Sequence, residues 1–187
     1  MWNSMKRKRS VRNRRARRRL FLILLALLAL LLVWPRTVHL EGLVSPYAIL
    51  VDADSGEAVA EKEADTSIYP ASMTKVMTAL LALEANPDLE QPVTLPEDIF
   101  PELRAEGASM AGFRPGETAT VRDLLYGALL PSGAECCEAL AREVSGSEEA
   151  FVELMNQKAA ELGMRSTHFC NPTGLHDPEH VSTVRDM

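Results

Sequence analysis

The stretch Tyr69-Pro-Ala-Ser-Met-Thr-Lys75 decides both the local fold of this sequence and the chemistry that it can support. Pro70 precedes a helix that the apolar spacing predicts over residues 72–85. Ser72 and Lys75 stand three residues apart on that helix, so the lysine amine can reach the serine hydroxyl. A lysine can remove the hydroxyl proton when burial or neighbouring cations lower its pKa. The spacing therefore makes Ser72 a candidate nucleophile and Lys75 a candidate base.

The Ser-x-x-Lys pattern by itself is weakly specific, and a capped, solvent-exposed helix start is the alternative interpretation. Other predicted elements surround this stretch. Apolar runs and turn residues predict a hairpin with strands over residues 47–54 and 58–62. Helical periodicity predicts three further helices, over about residues 120–130, 134–144 and 148–162. The pattern of another helix start at Ser182–Asp186 leads us to expect that the chain is part of a longer one.

Charge is distributed unevenly along the 187 residues, although the formal net charge is only −6. Residues 1–19 contain ten lysines and arginines and no acid, which leaves ten basic residues against 26 acidic ones beyond them. A hydrophobic content of 47% excludes a disordered or fibrous class. We expect the acidic residues to form a solvated face, and no basic patch beyond residue 19 indicates nucleic-acid binding.

An apolar run of fifteen residues, 20–34, follows the basic segment. As a helix it extends about 22 Å, which lies between a secretory signal and a short membrane span. We expect a signal sequence or signal anchor here, with residues 1–19 as its basic cytoplasmic flank and 35–45 as a linker. Trp34 stands where an aromatic residue would lie at the membrane interface, and no small-x-small cleavage pattern follows it. Both features favour a retained anchor, with the rest of the protein outside the cytoplasm. A cleaved signal would instead give a secreted protein. A basic nucleic-acid-binding arm is the alternative for residues 1–19.

Several sequence blocks resemble the serine D-alanyl-D-alanine carboxypeptidases, or low-molecular-mass penicillin-binding proteins, in the order found in that family. After the hairpin that starts at Tyr47, these blocks are Tyr69–Lys75, Gly112–Leu125, Leu129-Leu-Pro-Ser-Gly133, Met155–Met164 and Thr167–Leu175. The resemblance implies an α/β (α+β) fold of the penicillin-binding-protein and β-lactamase type, with an antiparallel sheet and a helical cluster. It also implies that residues 46–187 are part of a catalytic domain that is incomplete at its carboxyl end.

The resemblance implies a role for each residue that matches a family motif. Ser72 would be the acylated nucleophile, Lys75 its general base and Ser132 a proton relay, while the Ser72 backbone amide would form half of an oxyanion hole. Gly133 and Ala134 would occupy substrate-binding positions, and Ala134 stands where the family's Ser-x-Asn motif has asparagine. The family's Lys-Thr-Gly motif does not occur in this chain, so we expect a fragment that is inactive by itself. No metal or other cofactor is implied.

The implied reaction removes the terminal D-alanine from peptidoglycan stem peptides through an acyl-enzyme on Ser72. Expected partners are the stem peptides, β-lactams as inhibitors, and the membrane through residues 20–34. A serine β-lactamase is one alternative, because it shares the Ser-x-x-Lys chemistry. A non-catalytic, membrane-anchored peptidoglycan- or penicillin-binding protein is another, suggested by Ala134 and the missing Lys-Thr-Gly motif. Whether the neighbouring Glu135 replaces the missing amide is left open.

The remaining candidate residues are interpreted as structural. No zinc signature matches the spacing of the three cysteines, Cys136, Cys137 and Cys170. In an exported protein, Cys136 or Cys137 could form a disulfide with Cys170, or all three could be free thiols. The spacing of His168, His176 and His180 matches no metal-binding motif. His168 and the turn Asn171–Gly174 resemble family scaffold near the site. The predicted core methionines are Met73, Met77, Met155 and Met164.

Overall fold

The computed structural model describes residues 42–187, together with Leu25, Val38 and Leu40. The predicted basic segment and the predicted signal or anchor lie outside the described residues, apart from Leu25. The chain divides into two compact units, Met1–His39 and Leu40–Met187, and the second unit holds every element named below. Among the residues that the structure describes, no helix is long and apolar enough to span a bilayer.

The strands form two small antiparallel sheets. Strand β1 (Ala48–Val51) pairs with β2 (Ala58–Lys62), which confirms the predicted hairpin. β1 ends earlier than predicted because Asp52 begins the turn, where its carboxylate accepts hydrogen bonds from two backbone N–H groups. The second sheet joins β3 (Pro92–Thr94) to β4 (Thr118–Thr120). These strands were not predicted, since three residues are too few to show an alternating pattern.

The second unit contains more helix than strand. The helices are α1 (Thr74–Ala85), α2 (Ile99–Ala105), α3 (Val121–Leu129), α4 (Ala134–Ser145) and α5 (Glu148–Leu162). All but the short α2 confirm predicted helices. A 3₁₀ turn over Ala71–Met73 precedes α1, so Ser72 lies in this turn and not in the α-helix that we predicted from residue 72. At α3, Thr120 and Asp123 exchange side-chain and backbone hydrogen bonds in a capping box, which fixes where that helix begins.

Helix α4 lies at the centre of the helical cluster. It packs against α1, α2, α3 and α5, and every residue from 134 to 141 is buried. One apolar cluster joins α4 to α1, α2 and α3, and a second joins it to α1, α5 and Phe169. Because the first two turns of α4 are enclosed, Glu135 and Glu138 are buried, contrary to the expectation that acidic residues lie on a solvated face.

The exposure of the methionines and cysteines tests what was predicted for them. Met73 is 42% exposed, so its assignment to the core was wrong, because the 3₁₀ turn carries it to the surface. The other three predicted core methionines are buried. All three cysteines are free, and Cys136 and Cys137 are buried. Burial raises the pKa of the Cys137 thiol to about 12, which keeps it protonated at neutral pH.

Candidate active site

Three side chains that the sequence singled out meet at the amino-terminal end of α1. Lys75 Nζ lies 3.2 Å from Ser72 Oγ, and the Ser132 hydroxyl donates to Ser72 Oγ at 2.8 Å. Ser132 comes from the loop between α3 and α4, 60 positions along the chain from Ser72. The structure therefore places the candidate nucleophile within hydrogen-bonding distance of both the candidate base and the candidate relay.

The backbone adopts uncommon conformations at two points of this site. Ala71, directly before the nucleophile, has φ +48°, and Ser132 has φ +63°. Residues with a side chain rarely adopt this left-handed region, and such conformations cluster at functional sites. The following residue, Gly133, packs so closely that a Cβ atom there would lie 2.6 Å from the Ala111 Cβ. These constraints hold the Ser132 loop against the protein and fix the direction of its hydroxyl.

Lys75 is buried, with only 5% of its surface exposed. Its Nζ also donates to the Thr173 carbonyl oxygen at 2.5 Å, which holds the end of this long side chain in place. Burial lowers the pKa of Lys75, and the negative charge of Glu135 opposes part of this shift. A lower pKa increases the fraction of neutral amine near pH 7, and only the neutral amine can accept a proton from Ser72.

A tight loop over residues 171–174 supplies the carbonyl groups that bind α1. Asn171 Oδ1 accepts hydrogen bonds from the backbone N–H groups of Thr173 and Gly174, at 3.1 and 2.7 Å. Folded in this way, the loop presents the Pro172 carbonyl to the Thr78 hydroxyl at 2.6 Å, beside the contact between Thr173 and Lys75. The predicted turn is thus confirmed, and it fastens a late segment of the chain to the helix of the nucleophile.

His180 forms a second buried connection to α1. Its Nε2 lies 2.8 Å from the Thr74 hydroxyl, and its Nδ1 accepts from the Cys170 backbone N–H at 3.2 Å. An accepting Nδ1 leaves the proton on Nε2, so the ring is neutral and donates to Thr74. Burial lowers the pKa of His180, which favours this neutral form. The described residues contain no cluster of three or more His, Cys, Asp or Glu side chains suited to a metal ion.

Ala134 and Glu135 do not supply the side-chain amide that the family's Ser-x-Asn motif has at this point of the site. Ala134 is 1% exposed, and its methyl group belongs to the apolar cluster of α1 to α4. Glu135 Oε1 accepts from the Gly112 backbone N–H at 2.9 Å, and Oε2 has no hydrogen-bond partner among the described residues. Glu135 therefore makes no hydrogen bond with the three side chains of the site, and it acts on Lys75 through its charge.

Several residues around the site were missed in the sequence. Thr74 and Thr78 are fully buried polar residues one turn apart on α1, beside the predicted base. Two threonines at this spacing, on the face that carries Lys75, were a usable signal, because buried hydroxyls require partners. The partners themselves, from residues 172 to 180, could not be predicted, since no local pattern links segments about a hundred positions apart.

Comparison with known proteins places this site in a family. Residues 36–187 match the Peptidase_S11 model, described as D-alanyl-D-alanine carboxypeptidase. The chain is 39% identical over 140 residues to D-alanyl-D-alanine carboxypeptidase DacF of Bacillus subtilis, covering 75% of this chain and 36% of DacF.

Solved structures show the same fold. Penicillin binding protein 6B from Escherichia coli superposes with a TM-score of 0.74 and 28% identity, covering 81% of this chain and 50% of that one. Penicillin binding protein 5 from Haemophilus influenzae gives a TM-score of 0.72 at 31% identity, with 80% and 44% covered.

The chain spans less than half of the length of the curated relatives that it matches. The predicted fold class, with helices clustered beside small antiparallel sheets, is confirmed by these structural relatives. The family match extends over the whole second unit and includes each of the three converging side chains. This chain therefore belongs to the Peptidase_S11 family of D-alanyl-D-alanine carboxypeptidases.

Proposed function

We propose that the chain provides the nucleophile, base and proton relay of a serine carboxypeptidase that releases the terminal D-alanine from peptidoglycan stem peptides. The observation that carries this proposal is the convergence on Ser72 Oγ of Lys75 Nζ, at 3.2 Å, and Ser132 Oγ, at 2.8 Å. Membership of the family and the names of the relatives support the choice of substrate.

Acylation begins with a proton transfer from Ser72 to Lys75. The neutral amine of Lys75 takes the proton from Oγ, and Oγ attacks the carbonyl carbon of the residue before the terminal D-alanine. Negative charge then develops on the carbonyl oxygen, where the Ser72 backbone N–H can donate a hydrogen bond. The Thr173 carbonyl restrains the amine while this transfer takes place, because it binds one of the N–H groups.

The second half of acylation expels D-alanine. When the C–N bond breaks, the leaving amine takes a proton from the Ser132 hydroxyl, and the Lys75 ammonium returns a proton to Ser132. A water molecule then attacks the acyl carbon and gives a proton to Lys75, and the C–O bond to Ser72 breaks as Lys75 returns that proton to Oγ. β-Lactams would acylate the same hydroxyl and act as inhibitors, because they also present a carbonyl to it.

Covalent labelling tests this assignment. The full-length protein is treated with benzylpenicillin and its intact mass is measured, followed by peptide mapping. We expect one adduct on Ser72, which Ser72→Ala removes. Ser67→Ala, at an exposed serine five positions earlier, is the matched control and should leave labelling unchanged.

Further measurements distinguish the carboxypeptidase from the β-lactamase and from the non-catalytic binding protein. Release of D-alanine from a peptide ending in D-alanyl-D-alanine supports the carboxypeptidase, whereas rapid penicillin turnover without that release indicates a β-lactamase. A folded protein without any adduct would favour a non-catalytic binding protein. Ala134 gives this last alternative its structural basis, since it supplies no amide to the site.

We also propose that residues 20–34 carry the protein to the membrane and hold the catalytic unit outside the cytoplasm. The uncharged run and the basic flank before it support this localisation. Cell fractionation followed by amino-terminal sequencing tests it. A membrane-bound product that retains residues 1–34 is expected, and a soluble product beginning after Trp34 would contradict the anchor.

A further inference from the structure

One cavity is lined by none of the three catalytic candidates, although Asn171 and Thr173, from the loop that holds Lys75, line part of it. It has a volume of about 230 Å³ and lies between α2, α4, the start of α5 and the loop after residue 169. Five carboxylate side chains line this cavity, which we call the acidic cavity: Glu102, Glu106, Glu138, Glu148 and Asp177. The lining therefore concentrates carboxyl groups that the acylation chemistry does not use.

Glu138 sets this cavity apart from an ordinary acidic surface. Its side chain belongs to the enclosed face of α4 and is only 5% exposed, yet its Oε2 has no hydrogen-bond partner among the described residues. Arg142, one turn later, also lines the cavity, but its guanidinium pairs with Asp98 at 2.7 Å. A buried carboxyl oxygen without a hydrogen-bond partner is costly, and each such group in a native protein requires an explanation.

We propose that the acidic cavity binds a small organic ammonium ion, with the Glu138 carboxylate as its buried counter-charge. An ammonium group brings three N–H donors together with a positive charge, which suits a buried carboxyl group that lines the cavity and lacks a hydrogen-bond partner at one of its oxygens. The cavity also offers apolar surface for a short hydrocarbon chain, because Ile99, Leu103 and Leu175 line it.

The arrangement favours an organic cation over a metal ion. A divalent cation in an all-protein site requires several oxygen or nitrogen ligands at about 2.0–2.6 Å, and the described residues hold no such cluster. The volume is also large for a bare ion, and it accommodates a linear amine of several carbon atoms. A mainly polar and acidic lining with a smaller apolar part is the chemistry that recognises a short alkylammonium ion.

Binding of a cation should displace a proton from Glu138. Burial, followed by the charge of Glu148, raises the pKa of Glu138 to about 8, so the carboxyl group is mostly protonated at pH 7 when the cavity is empty. A bound ammonium ion favours the ionised carboxylate. The other titratable or charged groups around Glu138 are Glu102, Glu106, Arg142, Glu148, Glu149, Cys170, His176 and Asp177.

Isothermal titration of the full-length protein with cadaverine tests the proposal. Measurements at pH 7 in two buffers of different ionisation enthalpy give both the affinity and the number of protons released. We expect saturable binding with release of close to one proton. Glu138→Gln should weaken binding about tenfold or more and abolish the release, since it removes a charge-assisted hydrogen bond. Glu153→Gln, at an exposed glutamate of α5, should change neither quantity.

The controls separate this proposal from the proposed function and from misfolding. Penicillin labelling at Ser72 in each variant shows whether the catalytic trio remains intact, and the ammonium site does not depend on that labelling. Glu148→Gln, at the partly exposed margin of the cavity, should weaken binding about threefold, so the proposal does not rest on one buried substitution. No saturable binding to the wild type, equal binding by Glu138→Gln, or equal binding of the neutral 1,5-pentanediol would each overturn the proposal.

Discussion

Replacing Gly174 with alanine should slow the acylation of Ser72 far more than the same substitution at Gly146. Gly174 has φ +78°, and a Cβ atom there would lie 1.9 Å from the Ala71 carbonyl oxygen and 3.1 Å from the Ser72 backbone nitrogen. Non-bonded Cβ distances below 3.0 Å are essentially never observed, so the backbone beside the nucleophile has to move by about 1 Å. A displacement of this size near reacting atoms costs about 100-fold in rate.

Gly146→Ala is the matched control for this substitution. Gly146 has φ +82°, but a Cβ atom there would meet nothing within 4 Å. Both variants therefore carry the cost of a left-handed alanine, about 1–2 kcal/mol, and only Gly174→Ala adds the clash with Ala71. The measurements are the second-order rate constant for acylation by a fluorescent penicillin and the melting temperature of each variant. Equal acylation rates for the two variants would refute the reasoning.

Three further predictions concern the buried polar groups. Thr78→Val should lower the free energy of unfolding by about 1–3 kcal/mol because the Pro172 carbonyl loses its donor, whereas Thr78→Ser should retain most of the stability in denaturant titrations. The acylation rate should rise with pH with a midpoint below 10.5, the ordinary lysine value, because the pKa of Lys75 is lowered; Glu135→Gln should move that midpoint lower still, and an unchanged midpoint would count against the charge effect. Glu138 has a folded-state pKa of about 8 against 4.5 when exposed, so its contribution to stability is present below pH 4.5 and is lost as pH rises to 8. Melting curves of the wild type should show this loss, at most about 5 kcal/mol at 1.4 kcal/mol per pKa unit, and Glu138→Gln should remove it.

The sequence was most informative where local patterns determine local structure. The hairpin of β1 and β2 and four of the helices were predicted because each depends on residues close together in the chain. The three-residue spacing of Ser72 and Lys75 predicted their approach for the same reason. The short strands β3 and β4 and helix α2 were missed, since they offer too few residues for a periodic signal.

The burial of charged residues could not be predicted from the sequence. Glu135 and Glu138 were expected on a solvated face, because acidic residues are usually exposed. They are buried because α4 passes through the middle of the helical cluster, which is a property of the tertiary arrangement and not of the helix itself. The loop contacts of Lys75 and Thr78 depend likewise on a segment that lies far along the chain.

The contact between Lys75 and Thr173 determines when, during synthesis of the chain, the surroundings of Ser72 can be completed. These residues are 98 positions apart, so a nascent chain exposes Ser72 well before the carbonyl that restrains its base has been made. Until the 171–174 loop folds against α1, Lys75 is neither held nor fully shielded from water, and its pKa stays closer to that of a free lysine. The environment that lowers the pKa of Lys75 is therefore complete only after residue 173 has been synthesised and its loop has folded.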